Sequence, residues 1–178
     1  MTNAISEKNA LARIRAVALD VDGTLTDGGL WWGPDGAEWK RFSFADVMGI
    51  SLARRAGIVL ALISGEASPL VDRYAEKMQI LHVVKGCRDK AAALREFAAS
   101  AGIKPAEVAF MGDDVNDLAA MQLAGLSAAP SNAARCVLET ADFVSSQTGG
   151  NGAVRELIEA LLTARGLSVQ EVHARHLT

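Results

Sequence analysis

The chain has 178 residues, with 18 basic and 21 acidic side chains for a formal net charge of −3; half of its residues are hydrophobic and 22% are charged. These figures describe one compact globular domain over residues 1–178 and exclude a disordered chain or a second domain of ordinary size. The slightly acidic balance excludes the basic face that nucleic-acid binders carry, so no nucleic-acid partner is expected. Cys87 and Cys136 have neither zinc nor CxxC spacing and are expected to be reduced and structural. The first residues lack the continuous apolar core of a signal peptide, and no run approaches the ~18 apolar residues of a membrane span. No membrane partner and a cytoplasmic location are therefore expected.

Residues 17–19 are a short apolar run that stops at Asp20 and predicts a buried strand. The segment GGLWWGPDGAEWKRFSF, residues 28–44, follows it. It sets Leu30-Trp31-Trp32 and Trp39-Lys40-Arg41-Phe42 on either side of Pro34-Asp35-Gly36, a strand, turn, strand pattern that predicts a projecting β-hairpin. All three tryptophans fall in it, and such a hairpin hides its indoles either by folding onto its own domain or by packing against another subunit. The second of these is the expectation here. Helical spacing at residues 47–56, 70–78, 91–101 and 118–123 then alternates with strand-like runs at 58–63, 81–84, 108–111 and 143–144. That alternation predicts an α/β fold, a Rossmann-like parallel sheet flanked by helices. Gly57, Gly102 and Gly125 each follow a helical segment, where a residue tolerant of positive φ closes the last turn. Residues 147–152, QTGGNG, read as a flexible linker before a helix over 153–164, whose apolar face is Val154, Leu157, Ile158, Leu161 and Leu162. From Arg165 onward the pattern is weak and fraying is expected.

The chemistry concentrates at strand ends. Asp20 and Asp22, in DVDGTLTDG, face one crevice if the chain turns at Gly23, and in open α/β sheets ligands bind at that end of a strand. Asp113, Asp114 and Asp117, in MGDDVNDL, follow a later strand; three carboxylates in five positions repel one another unless a cation neutralises them. A hard divalent ion with oxygen ligands, Mg²⁺, accounts for the cluster, and a capped acidic helix start is the plainer alternative. Ser64-Gly65 ends another strand with a hydroxyl and a glycine suited to a phosphate oxygen. Lys90 opens the helix after the next strand and supplies a fixed positive charge.

Taken in order, these segments resemble the four motifs of the haloacid dehalogenase superfamily: DVDGTLTDG the first, Ser64 the second, Lys90 the third and GDDVND the fourth. The Trp-rich hairpin, FADVMGI, GCRDK and GGNGAVRE narrow the resemblance to its capless branch, typified by 3-deoxy-manno-octulosonate (KDO) 8-phosphate phosphatases. The resemblance implies a Mg²⁺-dependent phosphatase without a cap domain, acting as a homotetramer in which hairpins associate and a neighbour covers each site. It implies that Asp20 is the nucleophile and Asp22 the general acid and base. Mg²⁺ would be held by Asp20, the Asp22 backbone carbonyl and Asp113, with Asp114 and Asp117 in support, while Ser64 and Lys90 hold phosphoryl oxygens.

Two departures bear on substrate. Where KDO 8-phosphate phosphatases commonly carry arginine this chain has Glu66, which resembles the phosphatases of nonulosonate 9-phosphates, with Lys77 on the same predicted helix as a replacement charge. Where the family often has Asp-Gly, this chain has Asp46-Val47, so Asp46 is a substrate-hydroxyl contact, a neighbour of the metal, or a helix cap. Arg155 either reaches an adjacent subunit's substrate or is a solvated helix residue; His82, His173 and His176 show no ligand spacing. A catalytically silent tetramerisation module is the competing reading. A phospho-accepting receiver fits less well, because there the acidic pair ends the first strand and the phospho-acceptor ends a later one, whereas here the DxDGT segment itself comes first.

Overall fold

The structure is a computed structural model in which residues 10–175 are described. Its core is a six-stranded parallel sheet built from β1 (Ala16–Leu19), β4 (Val59–Ile63), β5 (His82–Val84), β6 (Val108–Met111), β7 (Leu126–Ala129) and β8 (Phe143–Val144). The spatial order is β5-β4-β1-β6-β7-β8. The central strands are apolar on both faces because both faces are covered. Val17, Leu19, Leu60, Leu62 and Met111 point to one side, against α1 (Phe44–Arg55), α2 (Pro69–Met78) and α6 (Ala153–Ala164). Ala16, Ala18, Ile63 and Phe110 point to the other, against α3 (Lys90–Ser100) and α4 (Leu118–Leu123).

The register positions the site. Leu19 pairs with both Leu62 and Met111, so the residues that follow β1, β4 and β6 leave the sheet at one edge. The chain runs outward from β1 through β4 to β5, then returns to the far side of β1 for β6. The crevice therefore opens where the strand order reverses.

The hairpin is present and short, β2 (Trp31–Trp32) pairing antiparallel with β3 (Glu38–Trp39) in a separate two-stranded sheet. Phe42 folds down and stacks on Tyr74 at 4.2 Å between ring centroids, whereas Trp31, Trp32 and Trp39 stay 52–71% exposed.

Four expectations are corrected. Residues 126–129 form a strand, β7, that the sequence pattern did not predict, and α5 (Arg135–Leu138) follows it. Gly57 and Gly102 do adopt positive φ, but Gly125 does not; a Cβ there would lie 1.9 Å from the Ala106 carbonyl oxygen, so the glycine serves a close approach rather than a turn. The QTGGNG segment is not a loose linker: Gly150 N–H donates to the Thr24 carbonyl at 3.0 Å, Gly149 N–H donates to Asn132 Oδ1 at 2.8 Å, and both glycines are buried. The tail beyond Arg165 folds into α7 (Val169–Ala174), because Ser168 and Glu171 form a reciprocal capping box and Val172 is buried. Among the described residues no helix is long and apolar enough to cross a membrane.

Candidate active site

Asp20 leaves the end of β1, its N–H donating to the Met111 carbonyl at 2.9 Å, and is 4% exposed. Lys90, the first residue of α3, reaches across and donates to Asp20 Oδ1 and to Asp117 Oδ1, each at 2.6 Å. Burial alone would lower the Lys90 ammonium, but Asp20 and Asp117 outweigh it and raise its pKa above the ordinary lysine value. The lysine is thus a fixed cation at the edge where β1, β4 and β6 end. Burial pushes the Asp20 carboxyl up to about 6 against the pull of Lys90.

The acidic cluster divides by role. Asp117 is fully buried and both its oxygens are engaged: Oδ1 by Lys90, and Oδ2 by the N–H groups of Asp113 at 3.0 Å and Asp114 at 3.2 Å. It shapes the loop. Asp114 is exposed and caps the next turn, accepting from Val115 N–H at 2.7 Å. Asp113 accepts no side-chain hydrogen bond among the described residues, and burial with the charges of Asp20, Asp117 and Asp114 raises it to about 7. Gly23 makes room for it: at φ +91°, a Cβ there would lie 2.0 Å from Asp113 Oδ2.

Asp20, Asp113 and Asp117 offer carboxylate oxygens within 4.8 Å of one another. An all-oxygen donor set, crowded enough to hold a proton near neutral pH, fits Mg²⁺. Asp20 and Asp113 are the ligands this arrangement favours, since Asp117 is already committed to Lys90 and two amides. The Asp22 carboxylate stands outside the group; it ion-pairs with Lys40 at 2.7 Å.

Ser64 is buried at the end of β4, its Oγ accepting from Glu66 N–H at 3.1 Å, while its backbone N–H and C=O bond to Val84 and Cys87. A Cβ on Gly65 would lie 3.6 Å from the Asn116 side-chain amide, so the loops after β4 and β6 meet over the crevice. Glu66 is exposed. Lys77 sits over the Phe44 ring at 5.4 Å and lines an open groove with Lys40, Phe42, Arg73 and Tyr74.

Asp46 does not reach this crevice. Fully buried, it accepts from Gly152 N–H at 3.0 Å and Arg155 N–H at 3.1 Å, and so caps α6 rather than its own helix, which Ser43 caps. Arg155 pairs with Glu159 along α6 at 2.7 Å. His82 packs edge-on against Phe97, and His176 lies outside the described residues. Residues at the site that the sequence pattern did not single out are Lys40, Asn116 and Arg41. Arg41 pairs with Asp27 at 2.9 Å and donates to the Gly150 carbonyl at 3.1 Å, tying the hairpin to the loop after Asp20. Only the cation pair Lys40-Arg41 on an otherwise apolar strand marked that stretch.

The family model for haloacid dehalogenase-like hydrolases matches residues 63–157. This chain belongs to the haloacid dehalogenase-like hydrolases. Over 153 residues it is 38% identical to the 3-deoxy-D-manno-octulosonate 8-phosphate phosphatase KdsC of Salmonella typhi, covering 86% of this chain and 81% of that one. A Moraxella catarrhalis 3-deoxy-D-manno-octulosonate 8-phosphate phosphatase, in complex with magnesium, phosphate and KDO, superposes with a TM-score of 0.88 at 36% identity. That match covers 90% of this chain and 92% of the other. A Legionella pneumophila structure placed in subfamily III A of the superfamily gives 0.92 at 37% identity over 97% of both chains. Within the haloacid dehalogenase-like hydrolases, the strand-end order of Asp20, Ser64, Lys90 and Asp113 falls on a sheet of the same architecture.

Proposed function

We propose that this chain hydrolyses the phosphate monoester of a phosphorylated 2-keto-3-deoxy sugar acid, with KDO 8-phosphate as substrate, through an aspartyl-phosphate on Asp20. The observation that carries the reading is the pairing of a buried Asp20 with the Lys90 cation beside Asp113, at the sheet edge where Ser64 also emerges. The Asp20 carboxylate attacks phosphorus, and Asp22 protonates the departing sugar oxygen. Asp22 then takes a proton from the water that releases phosphate from Asp20. Ser64, the Gly65 N–H and Lys90 hold the phosphoryl oxygens where charge develops. Asp20, Asp113 and the Asp22 carbonyl, with Asp114 and Asp117 in support, would hold Mg²⁺, which would supply neutralisation of the carboxylates and of the phosphoryl charge.

Water must be kept from the crevice during the first displacement. With no cap, the exposed indoles of the hairpin and the α6 surface carrying Arg155 supply that cover from neighbouring copies in a homotetramer. The eight-carbon substrate is supported by the curated relatives. Glu66 and Lys77 are the two residues that argue for a nine-carbon acid instead, and Lys77 lines a groove continuous with Lys40. A kcat/KM panel over KDO 8-phosphate, nonulosonate 9-phosphates and hexose phosphates tests the assignment. KDO 8-phosphate is expected to lead, equal rates across the panel would defeat sugar-acid specificity, and no Mg²⁺-dependent phosphate release from any of them would leave a silent assembly module.

A further inference from the structure

Lys40 leaves the end of β3 and turns inward, so that its side chain is 4% exposed while its ammonium lies 2.7 Å from Asp22 Oδ1. A surface ion pair contributes little, but an ammonium this deep needs an acceptor oxygen beside it, which Asp22 supplies. The other oxygen, Asp22 Oδ2, is buried and has no partner among the described residues. One oxygen of the carboxyl is therefore held by Lys40 and the other is buried without a partner, on a loop that turns at Gly23 and whose own residues do not fix the Asp22 side chain. The lysine is itself anchored. The next residue, Arg41, is clamped to Asp27 at 2.9 Å and to Asn151 Oδ1 at 2.8 Å, which fixes the strand against the loop after Asp20.

We propose that Lys40 is a positioning residue for proton transfer: by pairing with Oδ1 it fixes the orientation in which the Asp22 carboxyl meets the departing oxygen. This rests on the reading of Asp22 as proton donor. As the bond from phosphorus to the leaving oxygen breaks, its electron pair stays on that oxygen, which takes the proton of the Asp22 carboxyl; Asp22 is left as a carboxylate beside the Lys40 ammonium. In the second displacement a water oxygen bonds to phosphorus, its proton passes to the Asp22 carboxylate, and the electron pair of the phosphorus–Asp20 bond returns to Asp20. The proton count is restored. A group that must hand over a proton at a defined position loses rate when its orientation is loosened, and it loses most with leaving groups that need the proton.

The test uses two aryl phosphates that carry no sugar acid and so make no use of the groove. p-Nitrophenolate leaves without a proton, whereas phenolate, a much stronger base, needs one. In the full-length enzyme with Mg²⁺, Lys40→Met is expected to raise the kcat ratio of p-nitrophenyl phosphate to phenyl phosphate by roughly tenfold or more, the scale of general-acid effects. Asp22→Asn is expected to raise it at least as far, and Lys40→Arg to return it toward the wild-type value. Because the ratio is internal, a lower folded fraction does not move it. If Asp22→Asn raises the ratio and Lys40→Met lowers both rates equally, Lys40 is merely structural and the proposal is overturned. If the ratio does not rise in Asp22→Asn, the proton-donor reading fails first and the proposal fails with it.

Discussion

Removing the metal should make this protein less stable as pH rises through neutrality. Burial and the neighbouring carboxylates raise Asp113 from 3.8 to about 7, so the folded, metal-free protein holds a proton there that the unfolded chain has released. Folding then takes up a proton between those two values, and stability, full below about pH 4, is lost as pH climbs through 7. At about 1.4 kcal/mol per pH unit the limit is about 4 kcal/mol, which partial exposure of Asp113 screens to about 2 kcal/mol. Asp20, raised by burial to about 6, and Asp46, also raised by burial, add in the same direction. The carboxyls of Asp27 and Glu156 are held below their ordinary values by hydrogen bonds, so they act with the opposite sign and only in acid, where that stability is lost as pH falls. Urea unfolding of chelator-treated protein at pH 5 and pH 8 isolates the effect. Over this part of the interval the pH 8 sample should be weaker by about 1–2 kcal/mol, Mg²⁺ should stabilise it more at pH 8 than at pH 5, and Asp113→Asn should remove most of the difference. Equal metal-free stability at the two pH values, or a rise toward pH 8, would refute the reasoning.

Lys90→Met strands two buried carboxylates, those of Asp20 and Asp117, and is expected to destabilise the protein by about 3–5 kcal/mol in urea unfolding. Asp46→Ala deprives the Gly152 and Arg155 N–H groups of their acceptor and should cost about 1–2 kcal/mol in thermal unfolding with KM unmoved; a raised KM at unchanged stability would return Asp46 to the substrate. Trp32→Ser, at the most exposed indole, should shift sedimentation toward smaller species and lower kcat/KM together if neighbouring hairpins cover the site.

The convergence of Asp20, Ser64 and Asp113 on one sheet edge was legible because each closely follows an apolar run, and parallel strands in register must end together. Asp20, Ser64 and Asp113 needed only that rule. What escaped reading has physical reasons. β7, Leu-Ser-Ala-Ala, lacks the β-branched and aromatic residues that mark strands, and owes its place to the ladder offered by β6. The Gly-rich stretch looks flexible in sequence because glycine permits many conformations. Here its lack of a side chain admits a close approach instead, since a Cβ on Gly149 would lie 1.8 Å from the Gly23 carbonyl oxygen. The partners of Asp46, the amides of Gly152 and Arg155, could not be read because they lie more than a hundred positions away. Lys40 was hidden for the same reason: nothing in a hairpin's own pattern says that one of its lysines turns inward to a carboxylate from the first loop.

The central claim is that Asp20 is the phosphoryl acceptor of a Mg²⁺-dependent phosphatase. The most direct measurement is inorganic phosphate release from KDO 8-phosphate by the full-length protein and by Asp20→Asn, with and without Mg²⁺. Release is expected from the wild-type protein only when Mg²⁺ is present, and none from a folded Asp20→Asn. Undiminished release by that variant, or no release by the wild-type protein with Mg²⁺, would contradict it.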